Sequence, residues 1–208
     1  MKKFKGFAVL LGLFLLVGCN NSGSENDMSE KNTTENTVNQ QDSSVQNQEE
    51  KSREKETTTS EIGELTIVNK QKDLNMTQQQ GDVKITLKAA QVASLVPNDS
   101  NKALFEDKDK VTVVTLELEV ENLSDETLSV YPDQGTIVTN TKEQKNADLV
   151  LSDELEGELI GKVVKKGNVI FLLDSEADQI EHIKYLIDAP HNESLDSIGD
   201  KYVFELDL

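Results

Sequence analysis

The stretch Val111-Thr112-Val113-Val114-Thr115-Leu116-Glu117-Leu118-Glu119-Val120-Glu121 carries the period of a β-strand. Val114, Leu116, Leu118 and Val120 alternate with residues that include Glu117, Glu119 and Glu121, so one face is apolar and the other acidic. Successive strand side chains point to opposite faces, and this alternation marks a strand buried on one side and wet on the other. The same period recurs on both sides of it. Val83, Ile85, Leu87 and Ala89 alternate with Lys84, Thr86 and Lys88, and Phe204, Leu206 and Leu208 alternate with Glu205 and Asp207. Further strands are expected over 65–68, 128–131, 135–139, 169–173 and 180–187.

Turn-forming residues punctuate these runs at Pro97-Asn98-Asp99, Asn122-Leu123-Ser124-Asp125, Pro132-Asp133-Gln134-Gly135 and Lys166-Gly167-Asn168. One helical turn is expected over 153–159, and the glycines at 157 and 161 read as bulges or tight turns at a strand entry. Short strands at fairly regular spacing, with no long helical period, predict an all-β antiparallel sandwich over residues 61–208. The chain has no tryptophan, so aliphatic packing alone is expected to hold the two layers together.

Ahead of the sandwich the composition changes. Between residues 20 and 60 the only aliphatic or thioether side chains are Met28, Val38 and Val45, with no aromatic. Such a stretch cannot bury enough apolar surface to offset the entropy of ordering it, so a disordered tether is expected. Its span as a flexible chain is about 35 Å. The mixed-charge run Glu49-Glu50-Lys51-Ser52-Arg53-Glu54-Lys55-Glu56 is read as solvated linker in preference to a helix or partner motif.

At the front, Lys2, Lys3 and Lys5 precede an apolar run over 7–17, eleven residues long. A membrane-spanning helix needs about 20 apolar residues, so this run is read as an export signal over 1–18. It ends in Leu16-Val17-Gly18-Cys19, which holds the one cysteine of the chain. The tetrapeptide resembles the lipobox of bacterial lipoproteins, with Leu16, Val17 and Gly18 as the signal-peptidase recognition residues. The resemblance implies cleavage before Cys19 and a diacylglyceryl thioether on its sulfur. That anchor would hold residues 19–60 as a tether on the outer face of the cell membrane. Two acyl chains suffice for stable anchoring. With no second cysteine, an internal disulfide is impossible. Asn20 follows Cys19 where a Gram-negative retention signal has aspartate, and the polar tether is similar to those of Gram-positive lipoproteins.

Charge narrows the partners. The chain carries 21 basic and 39 acidic residues, and loss of the three leader lysines leaves 18 against 39, a net charge of −21. Nucleic acid and anionic headgroups would repel such a chain.

The strand over 111–120, the turn Glu121-Asn122-Leu123-Ser124-Asp125-Glu126, the pair Tyr131-Pro132 and the run Lys166-Gly167-Asn168-Val169-Ile170-Phe171 together resemble a family of immunoglobulin-like domains on Gram-positive surface lipoproteins. That family is related in fold to the mycobacterial secreted immunoprotective antigen. The likeness spans roughly residues 80 to 190 and implies an immunoglobulin-like sandwich. It carries no catalytic residues.

Candidate chemistry is sparse. A hydrolase would pair His182 or His191 with Ser194 and an acid such as Asp188 or Glu193, but no nucleophile elbow accompanies them. A surface-strand histidine and a loop histidine are the preferred reading. Zinc wants cysteine and histidine in sets, which two separated histidines do not supply. Calcium needs oxygens, and Asn98-Asp99-Ser100-Asn101 with Glu106-Asp107-Lys108-Asp109 offers them. Lys108 and Lys110 intrude, however, and the spacing is not that of an EF-hand, so acidic solvated loops are preferred.

Among the aromatics, Tyr131, Tyr185 and Tyr202 are read mainly as core or strand-edge residues. Phe105, an apolar ring in a charged loop, is read as the candidate partner contact. No cofactor is called for, and no oligomeric state is set. The expectation is a lipid-anchored, non-enzymatic binding or scaffolding module with an envelope protein partner. The alternative is an envelope hydrolase with a histidine site. A solute-binding importer component is disfavoured, because those need two α/β lobes.

Overall fold

The computed structural model describes residues 56–155 and 157–208. The leader, Leu16, Val17, Gly18, Cys19 and the tether up to residue 55 lie outside the described residues. The strands are β1 (Glu56–Thr59), β2 (Gly63–Gln71), β3 (Met76–Gln80), β4 (Val83–Pro97), β5 (Val111–Asn122), β6 (Thr127–Val130) and β7 (Thr136–Thr139). They continue with β8 (Gln144–Asn146), β9 (Gly157–Ile160), β10 (Val164–Leu173), β11 (His182–Ile187), β12 (His191–Asn192) and β13 (Tyr202–Asp207). The only helical elements among the described residues are three short 3-10 turns.

Every pairing is antiparallel. The large sheet runs β1-β2-β4-β5-β10, with β3 also on β4. A second sheet runs β13-β11-β7-β8, and a third β12-β6-β9. One continuous core joins them, so the two smaller sheets form the layer opposite the large one. The apolar and acidic alternation of β5 sits at its centre: Val114, Leu116, Leu118 and Val120 are fully buried, between β4 and β10. They meet Leu128 and Val130 of β6, Leu159 of β9, Ile183 and Ile187 of β11, and Phe204 and Leu206 of β13 in that core.

On β4 the expected alternation holds through Val83, Ile85 and Leu87 and then shifts. A bulge between Leu87 and Ala89 moves the core-facing set to Ala90 and Val92. The layers are not held by aliphatics alone. The Phe171 ring meets Tyr185 edge-on at 5.6 Å, and Tyr185 stacks on Phe204 at 6.3 Å, which runs an aromatic chain from the large sheet into the second. The buried Tyr185 hydroxyl donates to the Pro132 carbonyl. Burial first, and then the Asp133 charge, raise its pKa well above the usual phenol value.

Three further expectations are corrected. The described residues of 153–159 form no helical turn. Asp153 bonds the edge of β10, and 157–160 are strand β9, which pairs Leu159 with Leu128. Lys166-Gly167-Asn168 is not a turn but the middle of β10, where Gly167 pairs with Leu118. A Cβ on Gly167 would lie 2.7 Å from the Asp153 Cβ and 3.2 Å from a Leu155 methyl, so the glycine serves close packing here. Finally, the sheet begins at Glu56, inside the stretch read as tether, because β1 pairs with β2 from Glu56↔Ile67 to Thr59↔Glu64.

Candidate functional site

The candidate site is built where the layers meet at β9 and β10, both of which end their sheets. On β10 the backbone groups of alternate residues point away from β5. Asn168 and Ile170 show the direction. The Asn168 N–H donates to Asp153 Oδ2 at 2.8 Å and its carbonyl accepts from the Asp153 N–H at 2.9 Å. The Ile170 N–H donates to Ser152 Oγ at 2.9 Å, and its carbonyl accepts from the Asp148 N–H at 2.8 Å. The register from Val164↔Glu121 to Leu173↔Thr112 is unbroken, so the same outward groups of Val164 and Lys166 follow in phase. These last two meet no backbone partner among the described residues.

Beside that open stretch lies a groove of about 590 Å³ lined by Tyr131, Glu154, Gly157, Lys165 and Lys166. Tyr131 reaches it because the chain leaves β6 and tightens at once into a 3-10 turn, Pro132–Gln134. Asp133 is buried in that turn and accepts the Leu155 N–H at 3.3 Å, which ties Leu155 to the groove wall. Gly135 closes the turn. A Cβ there would sit 2.5 Å from the Tyr185 ring, so the phenol that bonds Pro132 fits only against glycine. Tyr131 keeps 38% of its surface in solvent, with Val164 at 47% and Ile160 at 73% along the same pair of edge strands.

The groove carries both charges. Lys166 pairs across the strands with Glu119 at 2.8 Å, which raises the lysine pKa and lowers that of Glu119. The Lys166 side chain is 70% exposed, so this pair is screened and labile.

Phe105, the expected partner contact, is 1% exposed. It ends the 3-10 turn Lys102–Phe105 in the β4–β5 connection. Ala93, Leu95, Val111, Val113, Ile170 and Leu172 are buried on β4, β5 and β10 without belonging to the main core. The charged neighbours face water while the ring turns in, so Phe105 is a packing residue and no partner can reach it. Tyr185 and Tyr202 are buried as expected, and Tyr131 is the tyrosine left in solvent.

The residues weighed for hydrolysis are dispersed. His182 Nδ1 lies 2.9 Å from Asp207 Oδ1, its partner across β11 and β13. His191 sits on β12 opposite Ser129. Asp188 pairs with Lys201 at 2.8 Å, and the Ser194 N–H donates to Asn192 Oδ1 in a tight turn. No serine hydroxyl bonds either imidazole among the described residues. The two acidic loops do approach each other, around a lysine: Lys102 Nζ lies 3.3 Å from Asp99 and 2.7 Å from Asp109. Among the described residues no group of three or more His, Cys, Asp or Glu side chains is placed to hold a metal ion.

The lysines and small residues of the groove carry no sequence signal of their own. Lys166 reads as part of a turn, and Gly157 as a bulge or tight turn at a strand entry. Tyr131 followed by proline was the one visible trace.

No family model matches the chain. The SPbeta prophage-derived uncharacterised lipoprotein YonS of Bacillus subtilis strain 168 is 33% identical over 103 residues, 48% of this chain and 51% of that protein. The chain thus spans about half the length of that relative. A functionally unknown protein from Listeria monocytogenes EGD-e, at 14% identity, superposes with a TM-score of 0.56 over 70% of this chain and 88% of its own. The yjhA protein of Bacillus subtilis, at 12% identity, gives 0.44 over 66% of this chain and all of its own. The Listeria likeness is one of fold alone. Over its described residues the chain is an all-β protein of antiparallel sheets, and it is similar over 48% of its length to a bacterial lipoprotein.

Proposed function

We propose that this chain is a lipid-anchored surface protein of a Gram-positive envelope whose immunoglobulin-like sandwich binds a partner along the β9–β10 seam without catalysing a reaction. In this reading residues 1–18 are a leader cut after Gly18. Cys19 carries the diacylglyceryl group, and the following residues lift the sandwich off the extracytoplasmic face of the membrane. The lipobox, the lipoprotein relative and its Bacillus source support the anchor. The observation that carries the binding reading is the groove itself. Tyr131, Val164 and Ile160 stay exposed beside strand backbone that has no partner among the described residues, and among those residues no nucleophile converges on either histidine.

Two experiments test it. Cys19→Ala should abolish acyl labelling and release the protein from membranes, and continued labelling would overturn the anchor. A photo-crosslinking residue at Tyr131 in intact cells should give a discrete adduct, while one at Glu205 on β13 should not. Equal adducts at both positions, or none at Tyr131, would remove the groove from consideration.

A further inference from the structure

The lower half of β10 offers a ligand what a sheet offers its next strand. Val164 and Lys166 direct N–H and C=O groups outward, which is room for about four main-chain hydrogen bonds. Higher on the same strand this offer is already taken up by the chain's own Asp148, Ser152 and Asp153. The edge is therefore competent to pair, and among the described residues the outward backbone groups of Val164 and Lys166 meet no such partner. The groove beside it has a tyrosine face and two lysines on its wall. We propose that Val164–Lys166 accept an extended acidic segment of another protein as an added antiparallel strand, flanked by Tyr131, Lys165 and Lys166. The inference rests on the binding reading above and names the partner's chemistry.

Charge selects the occupant. A second copy of this chain is a poor strand here, because each two-fold register sets lysine against lysine. Pairing Val164 with Lys166 puts Lys165 opposite itself, and centring on Lys166 puts Lys166 opposite itself. Centring on Val164 puts Lys162 opposite Lys166. Like charges directly opposite are unfavourable, and lysines on an edge are the common guard against self-pairing. An acidic strand turns the same lysines into attractive partners. The chain's overall negative charge opposes this only weakly at physiological salt, where the screening length is about 8 Å. Among the described residues Glu154 lines the groove and Glu119 pairs with Lys166, so acidic side chains are expected on the lysine side and away from Glu154.

The test pans a display library of linear peptides on the full chain in detergent micelles and maps the enriched peptides by amide hydrogen exchange. The expected result is enrichment of Asp- and Glu-containing peptides that protect the Val164 and Lys166 amides and bind more weakly as salt is added. Val164→Pro removes one outward N–H at the first residue of the strand, where proline is tolerated, and should weaken binding about tenfold. A Lys165→Glu, Lys166→Glu double variant should reverse the charge preference. No enrichment, enrichment of basic peptides, protection elsewhere, or protection of these amides by self-association would each overturn the proposal. A Tyr131 adduct in cells without peptide binding at β10 would leave the groove as a binding site and remove strand addition alone.

Discussion

The two halves of β10 share one strand, one partner and one unbroken register, yet they end in opposite states. From Val169 to Leu173 every side chain is buried, and the outward backbone groups of Ile170, like those of Asn168 before it, are bonded by residues 148–153. At Val164 and Lys166 the side chains are exposed and the outward backbone meets no partner among the described residues. Pairing with β5 does not make the difference. Three short polar residues in a connecting loop do: Asp148, Ser152 and Asp153 act as the missing neighbour strand for one half and stop short of the other. A sheet edge is thus finished by loop side chains, independently of what the strand's own alternation dictates.

The largest way to break the comparison is in the buried half. Phe171→Ala removes the ring that joins the large sheet to Tyr185 and should cost about 3–5 kcal/mol in urea unfolding. Val164→Ala should change stability by less than about 0.5 kcal/mol. Comparable losses at the two sites would mean that the halves do not differ as described.

Gly167→Val tests the junction between them. Its side chain meets Asp153 and Leu155, so a loss of about 1–3 kcal/mol is expected, with faster amide exchange at Asn168 and Ile170 as the loop lifts. Unchanged exchange there would show that the loop is held by other contacts. Asp153→Ala removes the carboxylate that accepts the Asn168 N–H at 2.8 Å and should cost about 1 kcal/mol, extending the open edge upward by one residue pair. Nuclear magnetic resonance exchange rates at Asn168 give the readout.

The smallest effect lies just past the buried end. Hydrogen bonds from Lys108 and Lys145, the latter at 2.8 Å, hold the Asp174 carboxyl down at about 2. A depressed carboxyl stabilises the fold above its ordinary pKa, and that stabilisation is lost as pH falls from about 4 toward 2. Because the carboxylate is mostly exposed, screening reduces its contribution to about 0.5 kcal/mol. Asp174→Asn should lower the urea midpoint at pH 5 and match the parent protein near pH 2. A difference that persists at pH 2 would point to lost packing instead of charge.

The central strands were legible because they are half-buried: β5, β13 and the first part of β4 show their faces as alternating residues. Strands β1, β3, β8 and β12 were not, because Glu-Thr-Thr-Thr or Met-Thr-Gln-Gln-Gln has no apolar face to display. β3 is placed by tertiary contact, with the Gln78 side chain accepting the Val203 N–H at 3.1 Å. The candidate site was legible only through Tyr131. Phe105 misled for a physical reason: charged neighbours predict an exposed loop, but they do not predict which way one ring turns.

The sequence alone determined the alternation that makes β5 the centre of an all-β core, because that information is local and repeats every second residue. It also determined the expectation of a lipid anchor at Cys19, since a cleavage and acylation signal is read as a linear string. Only the tertiary structure decided that Phe105 faces inward, that Gly167 is packed strand and not turn, and that the β10 edge is open below Asn168. Those outcomes depend on which distant residues arrive beside them, and no period in the chain records that arrival.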